Sequence, residues 1–128
     1  MRVIIIGGTG HIGTYLVPGL VEAGHNVVCV SRQKTNPYNH NEAWKAVEHV
    51  TIDRVKENGE FCSQIVALKA DVVIDLICFT PESARKLSEA LNGKIKHFLH
   101  CGSMWVHGYT EQVPTTESQK RKPFGDYG

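Results

Sequence analysis

The sequence predicts an α/β protein built on a doubly wound parallel sheet. Three observations carry this reading. Short, β-branched apolar runs alternate with segments of helical periodicity about four times along the chain. The runs are apolar throughout instead of alternating with polar residues, as expected of strands covered on both faces. A glycine-rich turn joins the first such run to the first helical segment.

Residues 1–6 read as the first strand, stopped by Gly7-Gly8. Ile12, Leu16 and Leu20, flanked by Val17 and Val21, then recur at helical spacing, and Gly24 ends the segment. Pro18 removes one backbone donor inside that helix and predicts a bend in a single element. Asn26–Ser31 is the second strand, and residues 33–41 are a polar loop containing Pro37. A short helix over residues 42–48 and a third strand over 49–53 follow. Phe61, Ile65, Val66 and Leu68 predict a helix over residues 60–69. Residues 71–79 make the most apolar strand of the chain. Thr80 then caps a helix opened by Pro81, with Glu82 in its first turn and an end at Leu91. Residues 94–101 give a fifth strand, after which the chain turns polar and irregular.

Composition narrows the class. The chain has 128 residues, 41% hydrophobic and 21% charged, which suits one packed core and argues against disorder, collagen-like repeats or a coiled coil. Lysine and arginine number 14 against 13 acidic residues, a formal charge of +1. No general electrostatic grip on nucleic acid or an anionic membrane is expected from that balance. No apolar run reaches the 18 residues of a membrane span. Cys29, Cys62, Cys78 and Cys101 are widely spaced, so reduced thiols and a cytoplasmic location are expected. The seven histidines form no ligand pattern, and no metal site is expected.

One motif has a definite physical role, the run Gly7-Gly8-Thr9-Gly10-His11-Ile12-Gly13 between strand and helix. Gly7 can adopt tight-turn dihedrals, Gly10 lets a pyrophosphate approach the backbone, and Gly13 lets the helix pack on the strand. Thr9, His11 and Ile12 complete the loop, and the phosphates would rest on the amides and positive end of the helix that follows. At the end of the second strand a carboxylate would accept from the ribose 2′-hydroxyl of NAD. Ser31-Arg32 stands there instead, nineteen positions beyond Gly13. A guanidinium suits a 2′-phosphate, so NADP is favoured over NAD.

With Thr9 in its place, the loop resembles the TGxxGxxG fingerprint of the extended short-chain dehydrogenase/reductases, the NAD-dependent epimerase/dehydratase group. Residues 49–54 resemble that family's third strand and its following Asp, which implies that Asp53 meets the adenine edge and that Arg54 is among the cofactor contacts. Asp75-Leu76-Ile77-Cys78-Phe79 resembles the segment lying along the cofactor, implying contacts from Leu76, Ile77 and Cys78. Residues 100–108 resemble the family's serine segment, which places Ser103 as the catalytic serine; His107 departs from the usual Tyr. Val113-Pro114-Thr115-Thr116-Glu117 resembles the Pro-x-x-Glu turn that follows. Asp126-Tyr127-Gly128 resembles the start of the YxxxK helix, with Tyr127 twenty-four residues after Ser103.

The resemblance covers the whole chain and implies a Rossmann-like NAD(P)-binding domain. It also implies an epimerase, dehydratase or reductase acting on a nucleotide sugar or similar hydroxyl/carbonyl substrate. The lysine expected four residues after Tyr127 would be residue 131, so this chain is expected to be an incomplete domain, residues 1–128. It would bind cofactor without turnover and without the substrate region. An exposed fifth-strand edge would favour a homo-oligomer. The alternative reading is a non-catalytic dinucleotide-binding or regulatory domain, including RNA-associated relatives.

Overall fold

A computed structural model describes residues 1–33, 36–55, 60–109 and 112–122. Five strands form one parallel sheet: β1 (Arg2–Ile6), β2 (Asn26–Ser31), β3 (Glu48–Thr51), β4 (Val72–Asp75) and β5 (His97–His100). Their order across the sheet is β3-β2-β1-β4-β5. Among the described residues three helices connect them: α1 (His11–Glu22), α2 (Phe61–Ala67) and α3 (Pro81–Leu91). Short 3-10 turns occupy Glu42–Ala46 and Met104–His107.

The two-residue period of β1 decides how the helices distribute. Ile4 and Ile6 enter one core with Phe61 and Ile65 of α2 and Leu87 and Leu91 of α3. Val3 and Ile5 enter the other with Val17 of α1. The sheet is therefore covered by α1 on one face and by α2 and α3 on the other, the doubly wound arrangement that continuous apolar strands predict. Each fully buried Ile or Leu contributes roughly 1.5–3 kcal/mol relative to its exposed state.

Ile6 is level with Val30 of β2 and with Asp75 of β4. The glycine loop, the segment after β2 and the segment after β4 consequently leave the sheet at one edge. The chain reverses its direction of winding between β1 and β4, where ligands of open α/β sheets bind.

Several boundaries differ from the sequence expectation. Strand β4 stops at Asp75 instead of residue 79, because the Asp75 carboxylate accepts the Ile77 amide (3.3 Å) and turns the chain. Strand β3 is Glu48–Thr51, and Asp53 beyond it accepts the Val55 amide (2.9 Å) in a tight turn. Strand β5 is shortened to four residues. The 3-10 turn at Met104–His107 falls in a stretch expected to be irregular. Helix α1 runs as one element through Pro18, and Thr80 caps α3 by accepting the Ser83 amide (3.2 Å), both as expected.

Candidate dinucleotide site at the carboxyl edge of the sheet

Three glycines of the loop meet different surroundings. Gly7 has φ +84°, and its amide donates to the Val30 carbonyl (2.8 Å). A Cβ there would stand 2.6 Å from Ile77 Cγ2. Gly13 sits against Gly8, where a Cβ would overlap the Gly8 backbone. Gly10 has ordinary extended dihedrals, φ −78° and ψ −174°, and the one atom near its would-be Cβ is the Gly7 carbonyl oxygen at 3.4 Å. The fold therefore demands glycine at 7 and 13 and leaves room for a side chain at 10.

Gly10 is also the N-cap of α1, and no side chain caps that helix. The Thr14 amide closes the first turn on the Gly10 carbonyl (2.8 Å). The amides before it belong to the positive end of the helix, where an anion is stabilised. Beneath the loop lies the fully buried Cys29, whose thiol burial pushes up to about 11 against the opposing effect of the Gly8 and Thr9 backbone.

The loop after β2 folds over this turn, a contact that the sequence reading missed. His11 and Tyr38 stack with ring centroids 4.3 Å apart and planes 10° from parallel. The Tyr38 amide donates to Thr14 Oγ1 (3.1 Å), and Asn39 Nδ2 donates to the Tyr15 hydroxyl (2.8 Å). The only signal in the sequence was a lone aromatic in an otherwise polar segment. Ile12 is exposed at the start of α1.

At the end of β2, Ser31 Oγ donates to the Gln33 carbonyl (2.7 Å). Arg32 is exposed and forms no ion pair with any described residue. Its neighbour in the resemblance, Arg54, is placed quite differently. The Arg54 guanidinium turns inward, bonding Asp75 Oδ2 through Nη2 (2.6 Å) and Ser83 Oγ through Nη1 (3.2 Å). It also lies 4.6 Å above the centre of the Phe61 ring. Asp53 stays at the surface turn.

Between the ends of β4 and β5 an open cleft of about 550 Å³ is lined by Leu76, Cys78, Phe79, His100, Cys101 and Ser103, among others. Ser103 Oγ accepts the Trp105 amide (3.2 Å) and caps the 3-10 turn. Ser103 thus reaches the cleft that Leu76 and Cys78 share, while Ile77 points back onto Gly7. Tyr127 lies outside the described residues. Donor atoms of Asp75, Cys78 and His100 come within 4.8 Å of one another, a grouping the scattered histidines did not suggest. The cation that neutralises Asp75 is already supplied by Arg54. All four cysteines are free thiols.

Residues 3–128 match the model of the NAD dependent epimerase/dehydratase family. The chain belongs to this family. Among its relatives, the 2'-dehydrokanamycin reductase of Streptomyces kanamyceticus is 29% identical over 128 residues, covering 100% of this chain and 35% of that protein. The UDP-glucose 4-epimerase of Lactobacillus helveticus is 24% identical, covering 100% of this chain and 43% of its own length. The chain therefore spans less than half the length of either relative. A solved UDP-glucose 4-epimerase from Thermotoga maritima with UDP-glucose superposes with TM-score 0.75 at 22% identity, over 100% of this chain and 47% of that one. That of Brucella ovis in complex with NAD superposes with TM-score 0.73 at 17% identity, over 96% and 42%. Epimerase/dehydratase membership and the Rossmann-like sheet agree with what the glycine loop and the ordered motifs imply.

Proposed function

We propose that these residues form the cofactor-binding part of an NAD(P)-dependent epimerase, dehydratase or reductase. One observation carries the reading: Gly10 is a glycine that the fold does not need. Its neighbours leave space for a side chain at the uncapped start of α1. The cradle at that spot fits a dinucleotide's diphosphate, which would use the space and the helix amides together.

The Gly7 to Gly13 loop would hold the diphosphate, Asp53 the adenine edge, and Leu76 and Cys78 the flank of the cleft. Arg32, exposed and without an ion-pair partner among the described residues, would select NADP by pairing with a 2′-phosphate. A bound nicotinamide would exchange hydride with the substrate carbon. Ser103 would donate a hydrogen bond to the substrate oxygen and polarise it. Tyr127 would move the proton, for which its phenol, with a pKa ordinarily about 10, needs a nearby cation. The family's lysine four residues on would supply that cation.

The relatives' names, a reductase and an epimerase of UDP-glucose, support a saccharide bearing a hydroxyl or carbonyl as substrate, a nucleotide sugar foremost. They favour an enzyme over a non-catalytic binding domain. Free thiols and the lack, among the described residues, of any helix able to cross a membrane support a cytoplasmic setting. Calorimetric titration of NAD and NADP into wild type and Gly10→Val tests the reading. Binding by wild type and its loss in the variant are expected; equal affinity in both would overturn it.

A further inference from the structure

The carboxylate of Asp75 is fully buried at the end of β4. A buried charge persists only with a partner, and here each oxygen has its own. Oδ2 takes Arg54 Nη2 at 2.6 Å, and Oδ1 takes the Ile77 amide at 3.3 Å. Arg54 is fastened at two further points, by Nη1 to Ser83 Oγ in the first turn of α3 and by its cation over the Phe61 ring of α2. Its planar fork bonds two acceptors in fixed directions, which a lysine ammonium cannot reproduce.

The chain of contacts continues beyond the pair. With its amide held by Asp75, Ile77 presents its side chain to Gly7, where Cγ2 lies 2.6 Å from the position a Cβ would take. Gly7 is in turn anchored by its amide on the Val30 carbonyl at the end of β2. The turn after β3, the first turns of α2 and α3, the end of β4 and the first glycine of the loop are thus joined in series.

We propose that Arg54 and Asp75 are positioning residues for the dinucleotide: they set the place of Ile77, and through it the conformation of the glycine loop and of the cleft flank at Leu76 and Cys78. The inference rests on reading that loop as the dinucleotide site. Stability alone does not explain the pair, because well-packed apolar residues of similar volume commonly serve a core equally well. What apolar residues cannot do is hold the Ile77 amide in one direction.

That difference supplies the test. The double variant Arg54→Met with Asp75→Leu removes both charges together and leaves none buried alone. Its melting temperature is expected to stay near that of wild type, while its affinity for whichever of NADP and NAD wild type binds more tightly, measured by calorimetry on the 128-residue chain, falls about tenfold or more as the loop loses its fixed geometry. A folded double variant binding that dinucleotide within about twofold of wild type would overturn the proposal, since a purely stabilising pair moves the melting temperature and not the affinity. Should the double variant not fold, Asp75→Asn decides. Loss of the Arg54 ion pair is then expected to shift the Gly7 and Ile77 amide resonances and weaken dinucleotide binding, and unchanged resonances with unchanged affinity would overturn the proposal. Wild type that binds neither NADP nor NAD would instead remove the dinucleotide reading, and this inference with it.

Discussion

Gly13 packs so tightly on Gly8 that a single methyl group on Gly13 would overlap the Gly8 backbone. The contact brings the first turn of α1 onto the end of β1 and aims the helix axis at the carboxyl edge of the sheet. Three residues earlier, Gly10 meets no such crowding. Two glycines of one motif therefore answer to different demands: the fold needs glycine at 13 and does not need it at 10, where the proposed diphosphate would sit. The two are separable by mutation.

Gly13→Ala is expected to destabilise the protein by roughly 1–3 kcal/mol or more, since the added carbon meets main chain that cannot rotate away. Chemical denaturation followed by circular dichroism measures it. Stability equal to wild type would mean that α1 can back off from the loop without cost.

Gly10→Val is expected to keep wild-type stability within about 1 kcal/mol, with a small loss from the β-branched residue at a helix N-cap. Cofactor affinity should fall by about two orders of magnitude, because the side chain fills the place of the diphosphate. Denaturation and calorimetry on one preparation separate this outcome from that of Gly13→Ala.

Arg32→Ala is expected to lower NADP affinity about ten- to a hundred-fold, the worth of a charge-assisted contact, and to leave NAD nearly unchanged. Because Arg32 is exposed, the NADP loss should shrink as salt is raised. Wild type binding NAD at least as tightly as NADP would refute the preference.

Cys29 predicts an alkaline loss of stability. Its thiol is raised from 9.0 to about 11 by burial, so well below pH 9 it is neutral in both folded and unfolded chains. Between those values the unfolded chain releases a proton that the folded one keeps, and stability falls as pH rises, by about 2–3 kcal/mol in total. The stability advantage of wild type over Cys29→Ala should therefore shrink between pH 8 and pH 10.5. A constant difference across that range would show that Cys29 ionises as readily when folded.

By itself the sequence determined the alternation of strands and helices, the two-sided burial of the sheet, the glycine loop and the cap at Thr80. These follow from local periodicity and from residues whose backbone preferences act over a few positions. Asn26–Ser31 and Pro81–Leu91 stand where their patterns put them. The tertiary structure decided what lies across chain distances. Arg54, which the resemblance sets among the cofactor contacts, bonds Asp75 twenty-one residues on, because a buried carboxylate draws the nearest guanidinium inward. Tyr38, unremarkable in a polar loop, stacks on His11 twenty-seven residues earlier. Strand β4 ends early because the Asp75 side chain takes the Ile77 amide, a competition between side chain and ladder that an apolar run does not reveal. Periodicity records which face a residue turns to the core; which partner meets it there depends on the packing of elements far apart in sequence.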